Sequence, residues 1–138
     1  ELAAAEDGVQ VALAPIVAAF ERLRAKADIV VVEGVGGWLA PVSATLDQLD
    51  LVRALKLPVL LVVGMRLGCV NHARLTAQSL QASGVECLGW IGNHVDPAMQ
   101  RQDENFATLR QRLPMPCWGR LPHLPGADGQ ILSTHLLD

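Results

Sequence analysis

Runs of apolar residues that break off at a glycine or at a charged residue recur along this chain. Val59–Val63 reads VLLVV and stops at Gly64, and Ile29–Val32 reads IVVV and stops at Glu33. Neither alternates polar with apolar, so both faces of each extended segment call for burial. Strands of that kind belong to a parallel sheet covered by helices on each side. Cys87–Ile91, closing on Gly92-Asn93, and Cys117–Leu121, followed by Pro122, are two further runs of strand length.

Helical periodicity fills the gaps between these runs. Gln10–Ala27 places Val11, Leu13, Ile16, Val17, Phe20 and Leu23 near helical spacing, and its end is basic, as the helix dipole favours. Leu46–Lys56 predicts a second helix, stopped by Leu57-Pro58 because the residue before proline disfavours the α region. Cys69 or Val70 to Ser83 predicts a third, ended by Gly84, and Met99–Leu113 a fourth. A last short helix is expected over Gln130–Leu137. Four strands, from Asp28–Glu33 to Cys117–Leu121, alternating with helices make a doubly wound α/β fold, a mostly parallel sheet with helices on both faces, in a single domain over 1–138.

Composition narrows the function classes. With 51% apolar and 18% charged residues the chain packs a core. A net charge of −3 with no Lys/Arg run argues against broad nucleic-acid binding and against an anionic membrane surface, and no apolar run approaches a bilayer span. Cys69, Cys87 and Cys117 are odd in number, with no C-x-x-C spacing, which suits a reduced, cytoplasmic setting. The four histidines, at 72, 94, 123 and 135, show no zinc-binding spacing.

In a doubly wound sheet, ligands bind beyond the carboxyl ends of the strands. Glu33, at the tip of a strand and followed by Gly34, Gly36 and Gly37, is placed to hold Mg²⁺ beside a phosphate, or else is a solvated acid beside a tight turn. The Gly64–Cys69 turn, with Arg66, offers a helix N-terminus to an anion, or is an ordinary strand-to-helix connection. Cys69 reads as a small helix-start residue or as an acidified thiol, with no histidine base assignable to it. Asn93 can read a purine edge or simply shape a turn. A loop of the form G-x-x-x-x-G-K followed by Ser or Thr occurs nowhere, and Lys26 and Lys56, the two lysines, lie in no glycine loop.

Taken in order, VVVEGVGGWLAPVS, LPVLLVVGMRLGCVNHARLTAQ, LGWIGNHVDP and GRLPHL resemble dethiobiotin synthetase from about Ala27 to Leu124. The resemblance implies a P-loop NTPase-like fold and a homodimer. It also implies a reaction that joins CO₂ to 7,8-diaminononanoate with Mg²⁺ and ATP and releases dethiobiotin, ADP and phosphate. By position it makes Glu33 the Mg²⁺-linked, catalytic glutamate, and Glu33, Gly34, Val35 and Gly36 the nucleotide-phosphate turn. Asn93 and His94 fall at the adenine, and Pro122, His123 and Leu124 on the loop beside it. Gly68, Cys69, Val70 and Asn71 match the helix start whose amides hold the substrate carboxylate across the dimer.

The family's phosphate-binding loop, catalytic lysines and second metal-binding acid have no counterpart in these residues. The chain is therefore expected to be the C-terminal part of such an enzyme, lacking its N-terminal P-loop unit and inactive alone. Two alternatives are a different ATP-dependent ligase of the same fold group, such as a cobyrinate-type amide ligase, and a non-catalytic dimerisation domain.

Overall fold

The computed structural model describes residues 2–136, which divide into two compact units, one up to Leu57 and one from Pro58 onward. The first unit holds three helices: α1 (Leu2–Glu6), α2 (Leu13–Arg24) and α3 (Gln48–Leu55). α2 is the helix expected over Gln10–Ala27, trimmed at both ends, and its buried residue is Phe20. Pro15 is tolerated as the third residue of α2, where a backbone N–H has no intrahelical acceptor in any case. Arg22 and Arg24 occupy the last turn, on the negative end of the dipole. α3 packs against α2 and is capped by Asp47, whose N–H donates to the Asp50 carboxylate at 2.9 Å. Lys56 ends α3 in the left-handed region at φ 54°, and Leu57-Pro58 follows.

The strand expected over Asp28–Glu33 is absent. Among the described residues, Ile29–Glu33 joins no ladder, and Ile29 and Val31 are 81% and 88% exposed. An apolar run is a strand only when a neighbour supplies its hydrogen bonds, because an isolated extended segment leaves its amides to water. Three strands are formed among the described residues, where four are expected.

The second unit contains β1 (Val59–Gly64), α4 (Cys69–Ser83), β2 (Cys87–Asn93), α5 (Gln102–Arg112), β3 (Cys117–Leu121) and α6 (Gly129–Ser133). The sheet is parallel in the order β1-β2-β3, giving the α/β class expected. β2 is two residues longer than the sequence suggests, because Gly92 and Asn93 pair on both sides, with Val63 and Gly64 and with Arg120 and Leu121. α5 begins at Gln102 instead of Met99. The Asp96 carboxylate accepts from the Ala98 N–H at 2.9 Å, folding residues 96–98 into a turn before the helix can start. The last helix is shorter than expected, and Leu137 lies outside the described residues.

The core of this unit is built by α4 and α5 against one face of the sheet. Val63, Met65, Cys69, Ala73, Ala77, Trp90, Leu109 and Leu113 form it, with Trp90, Met65 and Leu109 fully buried. After α6 the chain returns to β3 through a bridge between Gly119 and Leu136. Gly119 sits at φ 153°, and a Cβ there would lie 2.4 Å from the His135 carbonyl oxygen, so glycine is what lets the return segment close.

Candidate functional site

The three strands of the second unit end level with one another. Gly64 pairs with Asn93, and Asn93 with Leu121, so one transverse row crosses the carboxyl edge of the sheet. Beyond that row, the Met65 N–H donates to the Asn93 carbonyl at 2.7 Å and the His94 N–H to the Leu121 carbonyl at 2.9 Å. These bonds carry the sheet one step into the loops and set Asn93 and the Pro122–Leu124 segment side by side. This is where parallel α/β sheets receive ligands.

A cavity of about 370 Å³ opens here, lined by His94, Pro97, Gln102, Arg120, Pro122, His123 and His135. His94 is 4% exposed, yet Arg120 Nε donates to its Nε2 at 2.6 Å. A guanidinium can only donate, so Nε2 carries the lone pair and the proton sits on Nδ1. That Nδ1–H is buried without a hydrogen bond of normal geometry, and the Gln102 carboxamide interacts with the ring from outside that range. Burial first and Arg120 second push the His94 pKa below its ordinary value, against smaller opposing effects of Gln102 and Asp103. His94 is accordingly a neutral acceptor at neutral pH.

Arg120 is held on three sides. Besides His94 it donates from Nη1 to Asp103 Oδ1 at 2.6 Å, and its guanidinium carbon lies 5.2 Å from the centre of the Phe106 ring. Phe106 reaches that place because Gly92 has no side chain: a Cβ there would come within 2.7 Å of the ring.

The start of α4 holds Gly68, Cys69, Val70 and Asn71. Gly68 caps it at φ 90°, a left-handed conformation that glycine adopts freely. The Cys69 N–H donates to the Arg66 carbonyl at 3.0 Å, whereas the amides of Val70 and Asn71 have no acceptor among the described residues. Two free N–H groups at the positive end of a 15-residue helix suit a carboxylate or phosphate oxygen. Cys69 is 3% exposed and belongs to the core, which leaves its thiol no route to a substrate.

Glu33, Gly34, Val35 and Gly36 lie in the first unit. Glu33 is exposed, the Gln48 carboxamide donates to the Val35 carbonyl at 3.1 Å, and Gly36 and Gly37 both have positive φ. α3 thus anchors the turn through its first residue. No group of three or more His, Cys, Asp or Glu able to hold a metal exists among the described residues. Mg²⁺ commonly takes one or two protein carboxylates and completes its shell with water and phosphate oxygens, so a single exposed Glu33 is a compatible donor set.

Arg120, Gln102, His135 and Asp103 escaped the sequence reading. For Arg120 a signal existed: a charged residue inside a buried parallel strand needs a partner. Its partners come from β2 and α5, and the spacing of residues gives no hint of them.

A family model described as an AAA domain matches residues 1–130. A protein of Xanthomonas oryzae pv. oryzae named ATP-dependent dethiobiotin synthetase BioD is 66% identical over 136 residues, 99% of this chain and 61% of that protein. The protein of that name from Xanthomonas axonopodis pv. citri is 68% identical over 128 residues, 93% of this chain and 57% of its own. One from Xylella fastidiosa is 60% identical over 137 residues, 99% of this chain and 61% of its own. The chain therefore spans about three fifths of the length of these relatives.

Proposed function

The chain belongs to the AAA-domain family, and we propose that it is part of a dethiobiotin synthetase. In that reading the whole protein closes a ureido ring on 7,8-diaminononanoate with CO₂, at the expense of ATP. One amine forms a carbamate, ATP phosphorylates the carbamate, and the second amine displaces phosphate. The observation that carries the reading is 66% identity over 99% of the chain to a protein of that name.

Within this reading each cluster has one task. Asn93 offers both a donor and an acceptor to the edge of adenine, and Pro122, His123 and Leu124 lie along the base. The free amides of Val70 and Asn71, with Gly68 and Cys69 shaping the turn, hold the carboxylate of the diamine. Glu33 takes a Mg²⁺, and Gly34, Val35 and Gly36 let phosphate oxygens approach the backbone. Bound Mg²⁺ would offset charge on the transferring phosphoryl group. The protein works as a cytoplasmic homodimer with no nucleic-acid or membrane partner. No helix among the described residues is long and apolar enough to cross a membrane.

The test is an assay of the full-length protein with ATP, bicarbonate and 7,8-diaminononanoate. ADP release and dethiobiotin formation that both require the diamine are expected. ADP release indifferent to the diamine, or none at all, sinks the proposal.

A further inference from the structure

Arg120 has no role in the site as assigned so far, although it is the most heavily tied charged side chain of the cavity. Its Nε is bonded to His94, its Nη1 to Asp103, and its flat face lies on Phe106. With two of its donors and one face engaged inside the protein, it is poorly placed to act as a ligand itself. What it joins is more telling. Arg120 is on β3, one residue before Leu121 and two before the Pro122–Leu124 segment, and His94 directly follows Asn93 at the end of β2. The backbone bond from His94 to Leu121 already ties these two ends, and the side-chain bond ties them a second time. Two bonds between the same short segments fix orientation where one would leave a hinge.

We propose that Arg120, acting through His94, is a positioning residue for the nucleotide base: it locks the end of β2 to the end of β3, so that Asn93 and the Pro122–Leu124 segment present a preformed slot. This rests on the functional reading above, in which those residues receive adenine. The Arg120 bond also fixes the His94 tautomer: with Nε2 accepting, the buried Nδ1–H is left with no hydrogen bond of normal geometry. The bond to Asp103 contributes little to the lock, because that carboxylate is 84% exposed.

The experiment measures ATP affinity by calorimetry, and KM and kcat, in the full-length protein. Arg120→Ala is expected to weaken ATP binding and raise its KM by about tenfold, with kcat and the KM for the diamine within about twofold of wild type. His94→Leu should do the same, and the double variant should be no worse than either single one, since both remove one interaction. His94→Gln, which restores an acceptor near the position of Nε2, should recover most of the affinity, and Asp103→Asn should be close to wild type. If Arg120→Ala does not fold, Arg120→Lys carries the test: it keeps the charge but loses the fork, and a several-fold rise in KM is expected. Unchanged ATP affinity in a folded Arg120 variant overturns the proposal, as does a loss spread equally over both substrates and kcat. Failure of the wild type to couple ATP to the diamine would instead refute the functional reading, and the calorimetric comparison would still decide the role of Arg120.

Discussion

At His94, burial and the Arg120 guanidinium act in the same direction, and both disfavour the protonated ring. In the unfolded chain the same imidazole takes its proton near 6.5. Below that pH the unfolded state therefore binds more protons than the folded one, and stability falls as pH falls. The other charged and titratable groups at this place are Arg120, Asp103, His123 and His135. Thermal denaturation followed between about pH 8 and pH 5 should show a stability loss on the acid side that His94→Gln reduces. A wild type no more acid-sensitive than His94→Gln would contradict this account. The sequence pointed to His94 through its neighbour Asn93, but it hid the partner that gives the ring its tautomer. Arg120 is 26 residues away, and only the parallel pairing of β2 with β3 brings the two together.

Among the elements, α4 shows how local chemistry and packing agree. Gly68 and Gly84 bound it, both with positive φ, and its buried stripe is Cys69, Ala73, Ala77 and Leu80 at helical spacing. The small residues at 73 and 77 let the helix lie close on the sheet. Ala77→Leu should cost about 1–3 kcal/mol by overpacking. The readout is a lower urea midpoint at unchanged slope, and an unchanged midpoint would mean that the contact has slack. The bounds of α4 were legible, because the Gly84 stop is written beside the helix, whereas its buried stripe emerged only from the packing. The run Ile29–Glu33 shows the opposite. Its composition is that of a buried strand, yet it forms no ladder among the described residues, since composition specifies a willingness to pair and not the partner. β2 outran its expected end for the same reason: Gly92 and Asn93 look like a turn alone and become strand between two neighbours.

For the molecule as a whole, the limiting fact is chemical. ATP-dependent phosphoryl transfer asks a protein mainly for positioning and charge neutralisation at the phosphates. These 138 residues contain two lysines, neither in a glycine loop, and no G-x-x-x-x-G-K motif. Residues 1–138 expressed alone should therefore show no diamine-dependent ATP hydrolysis, and a measurable rate would refute the assignment of the triphosphate cradle to other residues. The chain also spans only about three fifths of its relatives' length.

The sequence by itself determined the α/β class and the helix ends near Pro58 and at Gly84, and it offered a short set of residues, at the ends of its apolar runs, whose order resembles dethiobiotin synthetase. Each of these follows from neighbours in the chain, where period, capping and turn chemistry act over a few residues. Only the tertiary structure decided which apolar runs become strands, and that Gly64, Asn93 and Leu121 end in one row. It also decided that Arg120 closes on His94 and lies over Phe106. Those outcomes depend on hydrogen bonds and contacts between segments far apart in the chain, whose energies no single segment contains.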